Sequence, residues 1–306
     1  MYADATKEDI YLSNLNDNSI LLPTNDICFE KLMANPKVRK GLIAALMGVE
    51  PCKIKSSTVL NPKTERYSKD DKYGILDVKV ELDDGTLINI EMQVERYDYW
   101  DRRVLFYMGK TFTSQLKTGN DYNKLKKCIH ASILNFTYFS DDKKCYRKIA
   151  LCDVDTGKVY SDMLELHIME LKKLVYNTDN NEPIIRWMKF FNGKTRKEFE
   201  DMANIDEYIR EAYEELVNLS ADGLTREEYE EREKALRDHY SFLNDAKRRG
   251  LAEGRAEGRA EGRAEGRADT LALVKKAKCL YKTGKSIEEI SLECNLSIEE
   301  VRDILE

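Results

Sequence analysis

The sequence predicts a layered α/β or α+β domain over residues 15–175, followed by a helical region, on three observations. Runs rich in β-branched residues cluster at 52–95 and again at 128–170. Helical periodicity flanks and interrupts them at 26–48 and 98–118. Beyond residue 183 the pattern is helical throughout. Helix, three strands, helix and further strands fit neither a bundle nor a sandwich.

Residues 26–48 space Ile27, Leu32, Val38, Leu42, Ala45 and Leu46 at roughly helical period, with Asn25 or Asp26 as N-cap. Pro36 predicts a break into two helices. Strands follow at 52–60, 73–82 and 86–95, the last two joined by Asp83-Asp84-Gly85 in a strong hairpin signal. Alternation in the first arm sets Ile75, Asp77, Lys79 and Glu81 opposite Leu76, Val78, Val80 and Leu82. In the second arm Glu91, Gln93 and Glu95 lie opposite Ile90, Met92 and Val94, so each arm has one oily and one largely polar face. Residues 98–118 carry Trp100, Val104, Tyr107, Met108, Phe112 and Leu116 at helical spacing and end near Gly119. The run at 128–139 suits a central strand, and 146–154 and 163–170 read as two more.

The rest divides into an acidic helical region at 183–250, an Ala-Glu-Gly-Arg repeat at 251–268 and a small tail at 269–306. The repeat drifts against the 3.6-residue turn, stacks like charges at i,i+4 and carries glycines that each cost a helix about 1 kcal/mol relative to alanine. It fits a continuing helix with separate acidic and basic stripes, or a flexible linker. In the tail, Ser286 with Glu289 and Ser297 with Glu300 form two capping boxes around a helix-turn-helix-like link. Its second helix is acidic and a poor reader of a DNA groove, so a capping or oligomerisation tail is the plainer alternative.

Composition narrows the function classes. Hydrophobic residues make up 42% and charged residues 35% of the 306, with only five prolines and 15 glycines, which excludes wholesale disorder and fibrous repeats. No apolar run reaches the roughly 18 residues of a membrane span, and the N-terminus lacks a basic-then-apolar leader pattern. A soluble, cytoplasmic protein is expected. Seven cysteines without C-x-x-C spacing suggest reduced thiols rather than a disulfide framework or zinc ribbon. The net charge of −6 is unevenly spread. Between Arg102 and Lys127 seven basic residues face Asp121 alone, a local +6, whereas 200–234 holds thirteen acids and four bases, a local −9.

The polar face of the hairpin carries the most informative constellation, Asp77 on one strand and Glu91 and Gln93 on the next. Two carboxylates across antiparallel strands can hold a hard divalent cation through oxygen. Such a cation activates water and offsets charge on a phosphoryl oxygen. Glu-x-Gln-x-Glu on a half-exposed strand also describes an ordinary solvated face. Asp77 sits within a hydrophobic strand, however, and the basic cluster follows at once, as at a phosphodiester site.

Five blocks in order, Asp26-Ile-Cys-Phe-Glu-Lys, Gly74-Ile-Leu-Asp77-Val-Lys-Val, Asp84-Gly-Thr-Leu-Ile-Asn-Ile-Glu91-Met-Gln93-Val, Arg102-Arg103-Val-Leu-Phe-Tyr107 and Gln115-Leu-Lys-Thr-Gly119-Asn-Asp-Tyr122, give the chain a family likeness. Together they resemble the PD-(D/E)XK nuclease family transposases, the Rpn recombination-promoting nucleases, closely over 20–140 and loosely in the helical tail. The resemblance implies an α/β, restriction-endonuclease-like core, a mixed central sheet flanked by helices, with an α-helical C-terminal extension. It implies that Asp77 and Glu91 bind Mg²⁺ (or Mn²⁺) and that Gln93 stands at the position of the usual catalytic lysine. Glutamine keeps a donor group and an acceptor there but no charge. Glu30 is a secondary metal or acid candidate by the same resemblance.

The implied activity is a Mg²⁺-dependent DNA endonuclease linked to recombination, the rival being a catalytically weak DNA-binding or assembly protein on the same fold. Arg102, Arg103, Tyr107, Lys110 and Lys117 are the DNA-backbone candidates, with a cation–π or salt-bridge brace as the alternative for Arg103 and Tyr107. DNA is the expected partner, no membrane is involved, and self-association would run through the C-terminal helices. Gln115 and Tyr122 depart from the related motif in spacing. His130, His167 and His239 lack metal-ligand spacing and are read as packing or surface residues. No phosphate-cradling glycine loop or G-x-S-x-G elbow occurs.

Overall fold

The computed structural model describes residues 20–60, 75–94, 96, 98–176 and 181–306. The chain divides between Arg237 and Asp238 into two compact units.

The first unit opens with α1 (Asp26–Ala34) and α2 (Pro36–Met47), capped by asparagines. Asn25 accepts from the N–H of Ile27, and Asn35 from those of Lys37 and Val38. Pro36 occupies the first turn of α2, where its missing N–H costs no hydrogen bond, so the expected break is a new start rather than a kink. A 3₁₀ turn at Pro51–Lys53 replaces the start of the expected strand, leaving β1 at Ser57–Leu60.

The hairpin is β2 (Ile75–Leu82) and β3 (Leu87–Gln93). The expected positions 73, 74 and 95 lie outside the described residues. Helix α3 (Trp100–Thr113) links β3 to β4 (Cys128–Leu134), which pairs parallel to β3 as a crossover connection allows. β5 (Tyr146–Cys152) and β6 (Val159–Glu170) complete a six-stranded sheet in the order β1-β2-β3-β4-β6-β5. The β1–β2, β2–β3 and β5–β6 pairs are antiparallel and the other two parallel, so the sheet is mixed.

Strand alternation divides the sheet into two faces. Val78, Val80, Ile88, Ile90, Met92, Ile129, Ala131 and Ile133 are buried in the main core with Phe29 and Leu32 of α1 and Leu42 and Leu46 of α2. Helices α4 (Pro183–Asn192), α5 (Arg196–Ala203) and α6 (Glu207–Ala221) add Trp187, Phe190, Phe191, Phe199 and Leu216. The other face meets α3, whose Trp100 and Val104 pack with Leu134 and Ile168. Both faces of β4 are therefore buried, as a central strand requires.

Gly41 marks a close approach of α2 to α6. A Cβ there would stand 2.3 Å from Tyr208 Cβ and 3.0 Å from Trp187 Cζ2. The first of these atoms is fixed to a backbone and cannot swing aside. Gly41→Ala should cost about 1–3 kcal/mol by overpacking, read as a lower urea midpoint with an unchanged slope.

Of the element ends that differ from the sequence expectation, three have a long-range reason. α3 stops at Thr113 rather than 118, because Gln115 turns to clasp Lys126, accepting from its N–H at 2.8 Å and donating to its carbonyl at 3.1 Å. β4 ends at Leu134 rather than 139, because the N–H groups of Tyr138 and Phe139 go to the Glu170 carboxylate. β6 begins at Val159 rather than 163, extended by pairing with β5 across a turn closed at Gly157, φ +68°.

Helix α7 (Gly223–Lys282) begins in the first unit and runs through all four Ala-Glu-Gly-Arg copies. In the second unit it is followed by α8 (Ile287–Cys294) and α9 (Ile298–Leu305), each started by a complete capping box, Ser286 with Glu289 and Ser297 with Glu300. Ala277, Ile290, Cys294 and Val301 form a small core of their own. No helix among the described residues is long and apolar enough to cross a membrane.

Candidate active site

The hairpin turn sets the geometry. Gly85 adopts φ +85°, its N–H bonds to the Leu82 carbonyl at 2.9 Å, and the Asp84 carboxylate accepts from the Thr86 N–H at 2.8 Å. That closure fixes the register at Asp77↔Glu91 and Ile75↔Gln93. Directly opposed residues share a sheet face, so positions 77 and 91 are neighbours on the face turned away from the main core. The Asp77 side chain lies outside the described part of the structure.

Strand β4 adds a second row through Asn89↔His130 and Glu91↔Ser132. Glu91, Gln93, Asn89, His130 and Ser132 are all buried. The Asn89 side-chain amide lies 3.3 Å from His130 Nδ1, a contact in which the tautomer of the imidazole sets the donor. His130 Nε2 stands 3.3 Å from Glu91 Oε2, near enough for an electrostatic contact but out of line for a hydrogen bond. Among the described residues, Glu91 Oε1 and Ser132 Oγ have no hydrogen-bond partner. An acceptor-only carboxylate oxygen left bare in a buried position costs free energy unless a cation or water meets it. Oxygen donors of this kind suit a hard divalent cation, so the residues present fit the metal that the pattern implies. Among the described residues no group of three or more His, Cys, Asp or Glu is gathered around one point.

The other sequence candidates fall elsewhere. Glu30 is exposed on α1 and lines a cavity of about 430 Å³ with Met33, Ala34, Arg39, Ser57 and Val78, and Glu91 is not among its walls. Arg102 and Lys110 are exposed on α3, and Lys117 is exposed in the turn beyond it. Arg103 and Tyr107 are half-buried, with the guanidinium 5.4 Å from the ring centroid, the brace geometry named above. Gln115 serves the Lys126 clasp and contacts Cys128 Sγ at 3.2 Å, while Tyr122 is exposed. Burial pushes the Cys128 thiol up to about 11, against the pull of the Gln115 bond, so it stays protonated at neutral pH.

Asn89 and Ser132 carry no functional mark in the sequence, and His130 is read there only as a packing or surface residue. Their shared face follows only from period-2 spacing along 87–93 and 128–134, which has no meaning until β4 is registered against β3.

His167 belongs to a separate polar knot on the opposite face. It is fully buried, with Nδ1 2.7 Å from the Tyr146 hydroxyl and Nε2 3.5 Å from Glu165 Oε2. Lys127 and Lys148 hold Glu165 at 3.0 and 2.8 Å, and their bonds outweigh the effect of burial to keep its carboxyl below the usual range. Burial pulls His167 down to about 4, overriding the nearby Glu165, and pushes Tyr146 up to about 12. Between about pH 6.5 and 4 the unfolded chain binds a proton at His167 that the native state refuses, so stability should fall with pH by about 3 kcal/mol. Urea midpoints from pH 7 to 4 should show this slope, and His167→Gln should flatten it.

Among known proteins, a family model described as PD-(D/E)XK nuclease family transposase matches residues 23–246. No curated protein and no solved structure matches the chain. The match spans α1 and α2, the whole mixed sheet with its carboxylate-bearing hairpin, and the start of α7. With well over half of its length covered by that model, the chain belongs to the PD-(D/E)XK nuclease family transposases.

Proposed function

We propose that the chain is a cytoplasmic, divalent-metal-dependent DNA endonuclease, hydrolysing phosphodiester bonds in recombination-related processing. The observation that carries this reading is the buried Glu91, registered directly opposite Asp77, with one carboxylate oxygen that meets no hydrogen-bond partner among the described residues. Asp77 and Glu91 would hold Mg²⁺ or Mn²⁺, with Glu30 as a secondary candidate. A cation there supplies electrophilic charge to a phosphoryl oxygen and makes water a better nucleophile.

The remaining work falls to the chain itself. His130 stands against one oxygen of Glu91, while the other meets no hydrogen-bond partner among the described residues. Gln93 would orient the attacking water through its amide, without the charge a lysine would bring to the transition state. A modest intrinsic rate follows. Arg102, Arg103, Tyr107, Lys110 and Lys117 would hold the DNA backbone by charge and hydrogen bonds, which set position and not sequence. Self-association would run through the C-terminal helices.

Purified protein should nick or linearise supercoiled plasmid in Mg²⁺ or Mn²⁺ and leave it intact in EDTA. Asp77→Ala should abolish cutting while still retarding DNA in a gel. Cutting that survives both Asp77→Ala and Glu91→Ala sinks the site. DNA retardation without cutting under any condition favours a binding or assembly protein on this fold.

A further inference from the structure

Helix α3 carries an outer stripe whose exposed apolar members neither its packing nor the proposed chemistry accounts for. Arg102, Phe106 and Lys110 follow one another at steps of four residues, which places them on one helix face, and Tyr99, the N-cap residue before the helix, stacks beside Arg102. Tyr99 is 68% exposed and Phe106 65%, with Leu105 beside them at 53%. The opposite side of the helix supplies the packing, through Trp100 and Val104 against Leu134 and Ile168. A run of large apolar side chains held in water marks an interaction surface.

Two further features describe its occupant. The guanidinium of Arg102 stacks 4.8 Å from the centroid of the Tyr99 ring, so a cation and an exposed π surface are presented together. Tyr99 itself sits in the left-handed backbone region, φ 62°, which a tyrosine adopts only at a cost. The stripe thus alternates aromatic and basic groups and runs from Tyr99 into the segment 102–127 of local charge +6. Nucleic acid alternates in the same way between flat bases and anionic phosphates. A surface that read only duplex backbone would need the cations alone, because bases in an intact duplex have no free face to stack on. Single-stranded nucleic acid is gripped by this pairing of basic groups with aromatic platforms.

We propose that Tyr99 and Phe106 stack unpaired bases while Arg102 and Lys110 hold the adjoining phosphates. The preferred substrate is then DNA containing single-stranded or unpaired stretches rather than uninterrupted duplex. This rests on the nuclease reading, which makes DNA the occupant.

Fluorescence anisotropy in EDTA tests it with full-length protein and labelled DNA as a single strand, a matched duplex, and the same duplex with an unpaired stretch. Strands of about 20 nucleotides exceed the footprint of roughly 4–16 typical of single-strand binding folds. The single strand and the interrupted duplex should bind more tightly than the matched duplex. Phe106→Ala should weaken those two by roughly 5- to 100-fold, the loss of one stacked base. The same change should alter matched-duplex binding by less than about twofold, as for an exposed residue that makes no contact. Phe106→Trp should restore the affinity, and Arg102→Gln should weaken all three DNAs and flatten the salt dependence. Equal effects of Phe106→Ala on all three, no preference for unpaired DNA, or no DNA binding overturns the proposal. Metal-dependent plasmid cutting that is lost in Asp77→Ala would then still leave the nuclease reading standing.

Discussion

Glu91→Gln should lower metal-dependent DNA cutting by about a thousandfold while leaving the fold intact. Glutamine matches glutamate in size, so the buried slot between Asp77 and Ser132 in the register is refilled without a cavity. What is lost is charge and one oxygen donor. The amide nitrogen cannot coordinate a hard cation, and losing several kcal/mol of electrophilic stabilisation corresponds to about three decades in rate. Binding of Mn²⁺ measured by calorimetry should weaken in parallel, which separates a metal defect from a defect in DNA binding. A variant that cuts at the native rate would remove Glu91 from the site. The urea midpoint should rise or stay level, since a neutral amide is cheaper to bury than an uncompensated carboxylate.

Glu170→Ala should have the largest effect on stability, a loss of about 3–5 kcal/mol, because it breaks a buried ionic knot on one side only. The Glu170 side chain is fully buried at the end of β6. Oε1 accepts the N–H groups of Tyr138 and Phe139 at 2.7 and 3.1 Å, and Oε2 lies 2.9 Å from Lys173 Nζ. Lys173 is itself 2% exposed, and among the described residues its second ion-pair partner is Asp142 at 3.4 Å. Truncation therefore strands two N–H groups and a buried ammonium together. Asp142 is also held by Arg147, which keeps its carboxyl down at about 2, so it stays charged across the working pH range. Against a typical domain stability of about 5–15 kcal/mol the change is large enough to expose the 135–145 segment to protease at room temperature. Equilibrium urea unfolding would measure it. Glu170→Gln, which keeps an acceptor for the two N–H groups, should lose distinctly less.

These two residues differ in how much of their role is written in the local sequence. Glu91 could be paired with Asp77 by counting outward from Asp84-Gly85, because a tight turn and a two-residue side-chain period leave one register that buries the oily face. The break at Pro36, the cap at Asn25, the two serine capping boxes and the apolar stripe of α3 are readable for the same reason. Each is an interaction within a few residues, and local chemistry decides it. Glu170 looked like the end of one more strand.

The sequence by itself thus determined the hairpin, its carboxylate pair, the amphipathic helices and the family they belong to. Only the tertiary structure decided that β6 enters between β4 and β5, and that β4 lies parallel to β3 with His130 and Ser132 beside Glu91. It also decided that His167 is buried on the other face against Tyr146, and that Gln115 and Glu170 end their neighbouring elements early. The physical reason is the range of the interactions. Periodicity and capping record what a residue does with neighbours three or four positions away. Parallel pairing, by contrast, joins residues about forty apart through a crossover, and its register comes from packing two whole faces at once.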